Sequence, residues 1–208
     1  MNKQQISTES KVKIEFYIEI PPLKSESESQ AEDWVSCVKI YNGVVYSGDY
    51  AGVIMTHGAE KSTKKALNGP MKSFSFHENG ILAAGLKGEV LLMNNEFEVL
   101  GAGNTERLEQ ITWSVSGSAF ALGGSTGKLQ IGQISESALQ KGVKKQKLSS
   151  EALNFQPLTS YHTDKVTGLY WPSLETLLSC SWDHSITFTD LEKMTVENSI
   201  LCNRVKNN

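Results

Sequence analysis

The chain has 208 residues, 39% of them hydrophobic and 21% charged, which is the make-up of a folded globular protein and not of a disordered or fibrous one. A net charge of −3 gives no global attraction to nucleic acid, so any RNA contact has to come from a local patch or through a partner. No apolar run approaches the roughly 18 residues of a membrane span, the polar start from Met1 to Ser10 lacks the apolar core of a secretory signal, and Cys37, Cys180 and Cys202, an odd number without a close pair, fit a reducing compartment. The expectation is an intracellular chain with no membrane partner.

In chain order, residues 1–10 are expected to be disordered. Residues 11–22 form an edge or closing strand, because Lys11 to Ile20 alternates apolar and charged residues until Pro21 and Pro22 stop it. Residues 23–32, rich in Ser and Glu, read as a polar linker. The first repeated unit, 33–69, has strand patterns at Val35 to Tyr41, Val44 to Asp49 and Val53 to His57. The second, 70–105, has them at Met71 to Phe76, Ile81 to Gly85, Glu89 to Asn94 and Phe97 to Gly101, with turn chemistry at residues 78–80 and 94–95. A third, 106–134, has Leu108 to Trp113, Ala119 to Gly124 and Lys128 to Gln133. An insertion at 135–152 breaks the pattern. The fourth unit, assigned to 153–203, has Lys165 to Trp171, Leu177 to Ser181, Ser185 to Thr189 and Thr195 to Cys202, and 204–208 is a tail.

Equivalent turn positions fall at Gly52, Gly88, Gly127 and His184, spaced by 36, 39 and 57 residues, the last interval lengthened by the insertion. A period near 40 with four short strands per unit predicts an all-β fold, a β-propeller of about four blades. A blade cannot bury its own faces and needs neighbours, so the fold points to a protein that presents surfaces to partners.

In the fourth unit His162, Ser181 and Asp183, with Trp182, His184 and Ser185 around them, resemble the WD-repeat layout. In it a histidine before the first strand, a serine in the second strand and an aspartate in the following turn form a structural hydrogen-bonded tetrad with a tryptophan, here replaced at Thr189. Ala51, Lys87 and Thr126 occupy the turn-aspartate position of the other units, which predicts a divergent, weakly held propeller. More specifically, Ile14 to Pro22, Glu32 to Val38 with Ser47 to Val53, and Ser179 to Ile186 closed by Asp190 to Glu192 resemble the WD-repeat subunit of the pescadillo (PeBoW-type) ribosome-biogenesis complex.

That resemblance implies a non-catalytic scaffold needed for pre-rRNA processing and maturation of the 60S subunit, in the nucleus, nucleolus and nucleoplasm. The implied partners are a Bop-type WD-repeat protein, pescadillo and the pre-60S particle. Members of that family begin with a ubiquitin-like domain gripped by a large AAA-type ATPase and carry seven blades, whereas here only ten polar residues precede the first strand pattern and four blades follow. The expectation is therefore a reduced gene product or a partial propeller. The competing reading is a generic WD-repeat adaptor in another pathway.

Other chemistry has little support in the residues. Gly123 to Gly127 formally matches G-x-S-x-G around Ser125, but a nucleophile elbow needs a helix after the turn and a strand pattern follows instead. His57, His77, His162 and His184 lack metal-ligand spacing, and no glycine loop of the G-x-x-x-x-G-K type occurs, so no cofactor or metal is expected. Lys141, Lys144, Lys145 and Lys147 cluster in the insertion as a local rRNA contact or import signal, or simply as a solvated loop without aromatic residues to stack on bases. Trp34 is expected to pack in the core or at a blade edge.

Overall fold

A computed structural model describes residues 33–58, 62–139, 152–158 and 162–202. The expected terminal segment, closing strand, linker and tail, at 1–32 and 204–208, lie outside the described residues, as does most of the insertion. The described residues all fall within one compact unit.

Among the described residues sixteen strands form four antiparallel sheets of four. The first contains β1 (Val35–Tyr41), β2 (Val44–Asp49), β3 (Val53–His57) and β4 (Thr63–Lys65). The second contains β5 (Met71–His77), β6 (Gly80–Gly85), β7 (Glu89–Met93) and β8 (Val99–Asn104). The third contains β9 (Leu108–Trp113), β10 (Ala119–Gly124), β11 (Leu129–Ile134) and β12 (Leu153–Leu158), with a four-residue helix α1 (Glu136–Leu139) after β11. The fourth contains β13 (Val166–Tyr170), β14 (Thr176–Ser181), β15 (Ser185–Asp190) and β16 (Thr195–Leu201). The sheets neighbour one another through their first strands, β1 with β5, β5 with β9 and β9 with β13, so the blades follow in chain order as an open arc.

Two outer strands escape the sequence pattern. Leu153–Leu158, expected to open the fourth unit, pairs along β11 from Leu129↔Leu158 to Ile134↔Leu153 and completes the third sheet. Its Asn154, Gln156 and Pro157 make it look like a loop, yet proline is tolerated on an edge strand because no ladder donor is needed there. Thr63–Lys65 is short, polar and exposed, and it carries no apolar signal at all.

Local chemistry explains the turns. Tyr41 pairs with Val44 across Asn42 and Gly43, whose φ values of 49° and 77° are the left-handed pair of a two-residue hairpin. The spaced glycines have a stronger constraint. Gly52, Gly88 and Gly127 all have positive φ, and each lies directly under the chain crossing to the next blade. A Cβ at Gly52 would overlap the carbonyl oxygen of Leu67, at Gly88 that of Thr105, and at Gly127 that of His162. The crossing chain is tied to the same turns: Leu67 N–H donates to Gly52 O, and Thr105 N–H to Gly88 O. Here the period seen in the sequence is a latch between consecutive blades.

A second repeated device carries no sequence motif. Each first strand has a register shift one residue in, placing an extra residue at Ser36, Lys72, Glu109 and Thr167. Such bulges bend a strand and re-aim a side chain, and here they mark where the inner strands crowd together. The next pairs are correspondingly small: Cys37 opposite Gly48, Ser73 opposite Ala84, and Gly168 opposite Cys180.

The core lies between blades. Ile54, Met71, Phe74, Ile81 and Phe97 fill the first interface, and Leu82, Val90, Leu92, Trp113, Phe120 and Leu122 the second. Ala121, Trp171 and Leu177, with Leu129, Leu158 and Val166, fill the third. Strands β6 and β10 contribute to both sides, so they read as apolar runs and not as alternations.

Candidate functional site

Polar side chains collect at two places on the rim where the first strands begin. One is the predicted tetrad. His162 is buried, with Nδ1 3.0 Å from Asp183 Oδ2 and Nε2 2.8 Å from Ser179 Oγ. A carboxylate only accepts, so the ring proton sits on Nδ1 and Nε2 accepts from Ser179. Ser179 Oγ lies in turn 2.6 Å from Thr187 Oγ1. The chain of donors thus runs Thr187, Ser179, His162, Asp183.

Two positions differ from the expectation. The strand serine bonded to the histidine is Ser179, two residues before Ser181. Ser181 instead fastens the turn, its Oγ donating to Asp164 O at 2.8 Å and accepting from Asp183 N–H at 3.1 Å. In β15 the hydroxyl that continues the network is Thr187, while Thr189, the expected tryptophan position, is buried with an unpartnered Oγ1. Serine recurs on alternate residues of β14, so spacing alone does not distinguish the two.

Burial pushes the Asp183 carboxyl upward, but donors from Ser185 Oγ, Thr163 N–H, Ser185 N–H and His162 outweigh it and hold the group below the usual carboxylate range. These contacts join the loop before β13 to the β14–β15 turn. Their chemistry is that of a structural lock: every polar atom engaged is bonded to another part of the same blade.

The second place is a charged clamp across three blades. Glu109, at the bulge of β9, is 2.9 Å from Lys72 Nζ of the second blade and 3.7 Å from Lys165 Nζ of the fourth. Burial raises the Glu109 carboxyl, and hydrogen bonds from Lys72 and Ser125 together with the charges of Lys72 and Lys165 bring it below its ordinary value. Ser125, the serine of the G-x-S-x-G string, is the hydroxyl donor here, at 2.9 Å from Glu109 Oε1. It sits in a turn between two antiparallel strands, β10 and β11, and not before a helix. Lys165 also lies 4.2 Å from the centroid of the Trp182 ring.

The remaining candidates are dispersed. His57 Nε2 meets Ser47 Oγ at 2.7 Å, His77 Nδ1 accepts from Asn79 N–H, and exposed His184 holds the positive-φ turn of the fourth blade. Among the described residues no group of three or more His, Cys, Asp or Glu is placed to hold a metal ion. Burial pushes the Cys37 thiol up to about 11, which keeps it protonated at neutral pH. Trp34 is not in the core: it is 80% exposed, its ring edge-on to Tyr50 with centroids 6.4 Å apart. Lys141, Lys144, Lys145 and Lys147 lie outside the described residues.

Propellers of known structure share this architecture. The WD40 β-propeller domain of Doa1 superposes with a TM-score of 0.65 at 14% identity, covering 82% of this chain and 55% of that one. The β-propeller domain of Cps50 (Swd1) from Myceliophteria thermophila gives 0.66 at 13% identity, over 84% and 57%. No protein-family model matches the sequence. The similarity to a ribosome biogenesis protein WDR12 homolog of Drosophila erecta extends over 98% of this chain at 22% identity, and to that of Aedes aegypti over 96% at 24%. This chain has the WD-repeat propeller fold and is similar in sequence to the WDR12 ribosome biogenesis proteins. It spans about half the length of those relatives, 52% in both cases. The WD-repeat fold, inferred from the period and the tetrad, is thus the fold present, with blades that keep the architecture while three of four turns have lost the aspartate.

Proposed function

We propose that the chain is a non-catalytic WD-repeat scaffold that acts in pre-rRNA processing and maturation of the 60S ribosomal subunit. The observation that carries this reading is the similarity to WDR12 homologs along nearly the entire chain, including the blades whose sequence is least WD-like. The structure adds a surface suited to the role. The face of the fourth blade turned away from the third presents Tyr170, 64% exposed, and Ile200, 48% exposed, beside half-buried Leu178, Ile186 and Phe188. An apolar sheet face of this kind is a surface on which a partner can pack. In this reading the partner is a Bop-type WD-repeat protein, linked to pescadillo on the pre-60S particle, and the site of action is the nucleolus and nucleoplasm. Lys141, Lys144, Lys145 and Lys147 serve there as a local rRNA contact or import signal.

Affinity purification of the tagged full chain, with identification of co-purifying proteins, tests the assignment. Recovery of Bop-type and pescadillo proteins, lost when Tyr170→Glu and Phe188→Glu are combined, is the expected result. Capture of an unrelated adaptor set with neither protein present would favour the reading as a WD-repeat adaptor in another pathway, since the fold by itself is shared by many functions.

A further inference from the structure

The outer strands of the four blades differ in how far they protect their free edges. A sheet edge presents unpaired N–H and C=O groups, and proteins blunt it with short length, lysines, proline or a covering element. Strand β4 has three residues, two of them Lys64 and Lys65. Strand β8 lies against the third blade, where a Cβ at Gly101 would meet Ala152 and one at Gly103 the Phe155 ring. Strand β12 carries Pro157. Strand β16 uses none of these devices. Its seven residues, Thr195–Leu201, include no lysine, proline or glycine, six of them are exposed, and Glu197 is its one charge. Among the described residues no strand pairs with its outer side.

The ladder fixes which groups of β16 face outward. Cys202 N–H donates to His184 O, so the inward bonds fall on Cys202, Ile200 and Asn198, and by alternation the backbone groups of Ser199 and Leu201 point away from β15. The extra residue of this strand is Glu197, opposite the step from Phe188 to Thr189, which leaves Asn198 to Leu201 as a regular run. Within that run Ile200 stands on the open face of the blade, in line with Ile186 and Cys180. Ile200 is 48% exposed and Leu201, on the other face, 68%.

We propose that this edge pairs with β16 of a second copy of the chain, antiparallel about a two-fold axis at Ile200. Such an axis, normal to the sheet, sets one residue opposite its own copy, and Ile200 is the position flanked on both sides by outward-facing backbone groups. Ser199 of each copy then exchanges backbone hydrogen bonds with Leu201 of the other, and the two Ile200 side chains meet in the non-hydrogen-bonded pair between them. Charge does not oppose the pairing. The two Glu197 carboxylates end about 20 Å apart, each three residues from the axis at about 3.3 Å per residue. Both open faces lie on the same side of the joined sheet and stay accessible, so the pairing is independent of the assembly role. Two bonded pairs and one isoleucine contact make a small interface, and the dimer is accordingly weak, with a dissociation constant on the order of 10 μM.

The test is sedimentation velocity of the purified full chain at concentrations from about 1 to 200 μM, a range that brackets the expected constant. A concentration-dependent shift from monomer to dimer is the expected result. Ser199→Pro removes an N–H that β16 does not use in its own sheet, and Ile200→Lys sets two ammonium groups opposite each other. Each should weaken the association about tenfold or more, while Val115→Ser, at an exposed turn of the third blade, leaves it unchanged. Unaltered far-UV circular dichroism and urea midpoints separate loss of pairing from loss of fold. A monomer at every concentration overturns the proposal, as does a dimer that survives both edge substitutions. So does a dimer lost only when Tyr170→Glu and Phe188→Glu are combined, which would move the contact to the open face. A monomer that still captures Bop-type and pescadillo proteins would refute this inference alone, and a dimer that captures neither would refute only the previous section.

Discussion

Replacing Gly88 by alanine is expected to cost about 3 kcal/mol of folding stability, because a left-handed backbone and a blocked Cβ site act together there. The residue has φ of 95°, and its Cβ would overlap Thr105 O and lie 2.7 Å from Glu106 O, both backbone atoms of the crossing to the third blade. Neither can move without breaking the Thr105 N–H to Gly88 O bond that joins turn and crossing. Gly43→Ala is the matched control. It shares a positive φ of 77° but has nothing within 4 Å of the new Cβ, so it should lose only about 1 kcal/mol. Urea denaturation of both variants measures the difference. Equal losses would show that the glycine spacing reflects turn conformation alone and not a latch between blades.

His162→Ala should be comparably damaging, about 3 kcal/mol, because it strands the other members of a buried polar chain instead of merely removing one bond. Ser179 would lose its ring acceptor in a fully buried site, and Asp183 one of the four donors that stabilise its charge. Ser181→Ala removes two bonds at a more exposed turn and should cost about 1 kcal/mol. The same arrangement predicts acid sensitivity. A carboxyl held below its unfolded value contributes stability that is fully present above about pH 4, the unfolded pKa, and is lost as the pH falls through the depressed folded one. Stability measured from pH 7 downward should therefore drop below about pH 4, with a shallower drop in Asp183→Asn. A variant that is weaker at every pH but falls with an unchanged slope would show that Asp183 is not the group responsible.

Much of this was readable before any coordinates. The three strands of the first blade, Val35 to Tyr41, Val44 to Asp49 and Val53 to His57, match the structure to the residue. Alternation, an Asn-Gly hairpin and a glycine turn all act locally there. The histidine–aspartate half of the tetrad was legible for a similar reason: the residue types are rare and their spacing is fixed by one loop and one hairpin.

What was hidden depends on contacts between distant segments. Strand β12 is recognisable only by its pairing with β11, since the polar residues of an outer edge give no periodic signal. The choice of Ser179 over Ser181 follows from how β14 ends against the loop before β13, and both serines fit the same sequence pattern. The Glu109 clamp joins Lys72, Ser125 and Lys165 from three blades, and no interval in the chain announces it. For Trp34 the sequence left core and blade-edge packing open, and only its neighbour in space, Tyr50 on a rim, excludes the core.

Sedimentation of the tagged chain from nuclear extract through a sucrose gradient tests the central claim most directly. Co-migration with large-subunit precursor particles, dependent on the open face of the fourth blade at Tyr170 and Phe188, is the predicted result. A chain found wholly at the top of the gradient, in extracts where those precursors are intact, would contradict the assignment to ribosome assembly.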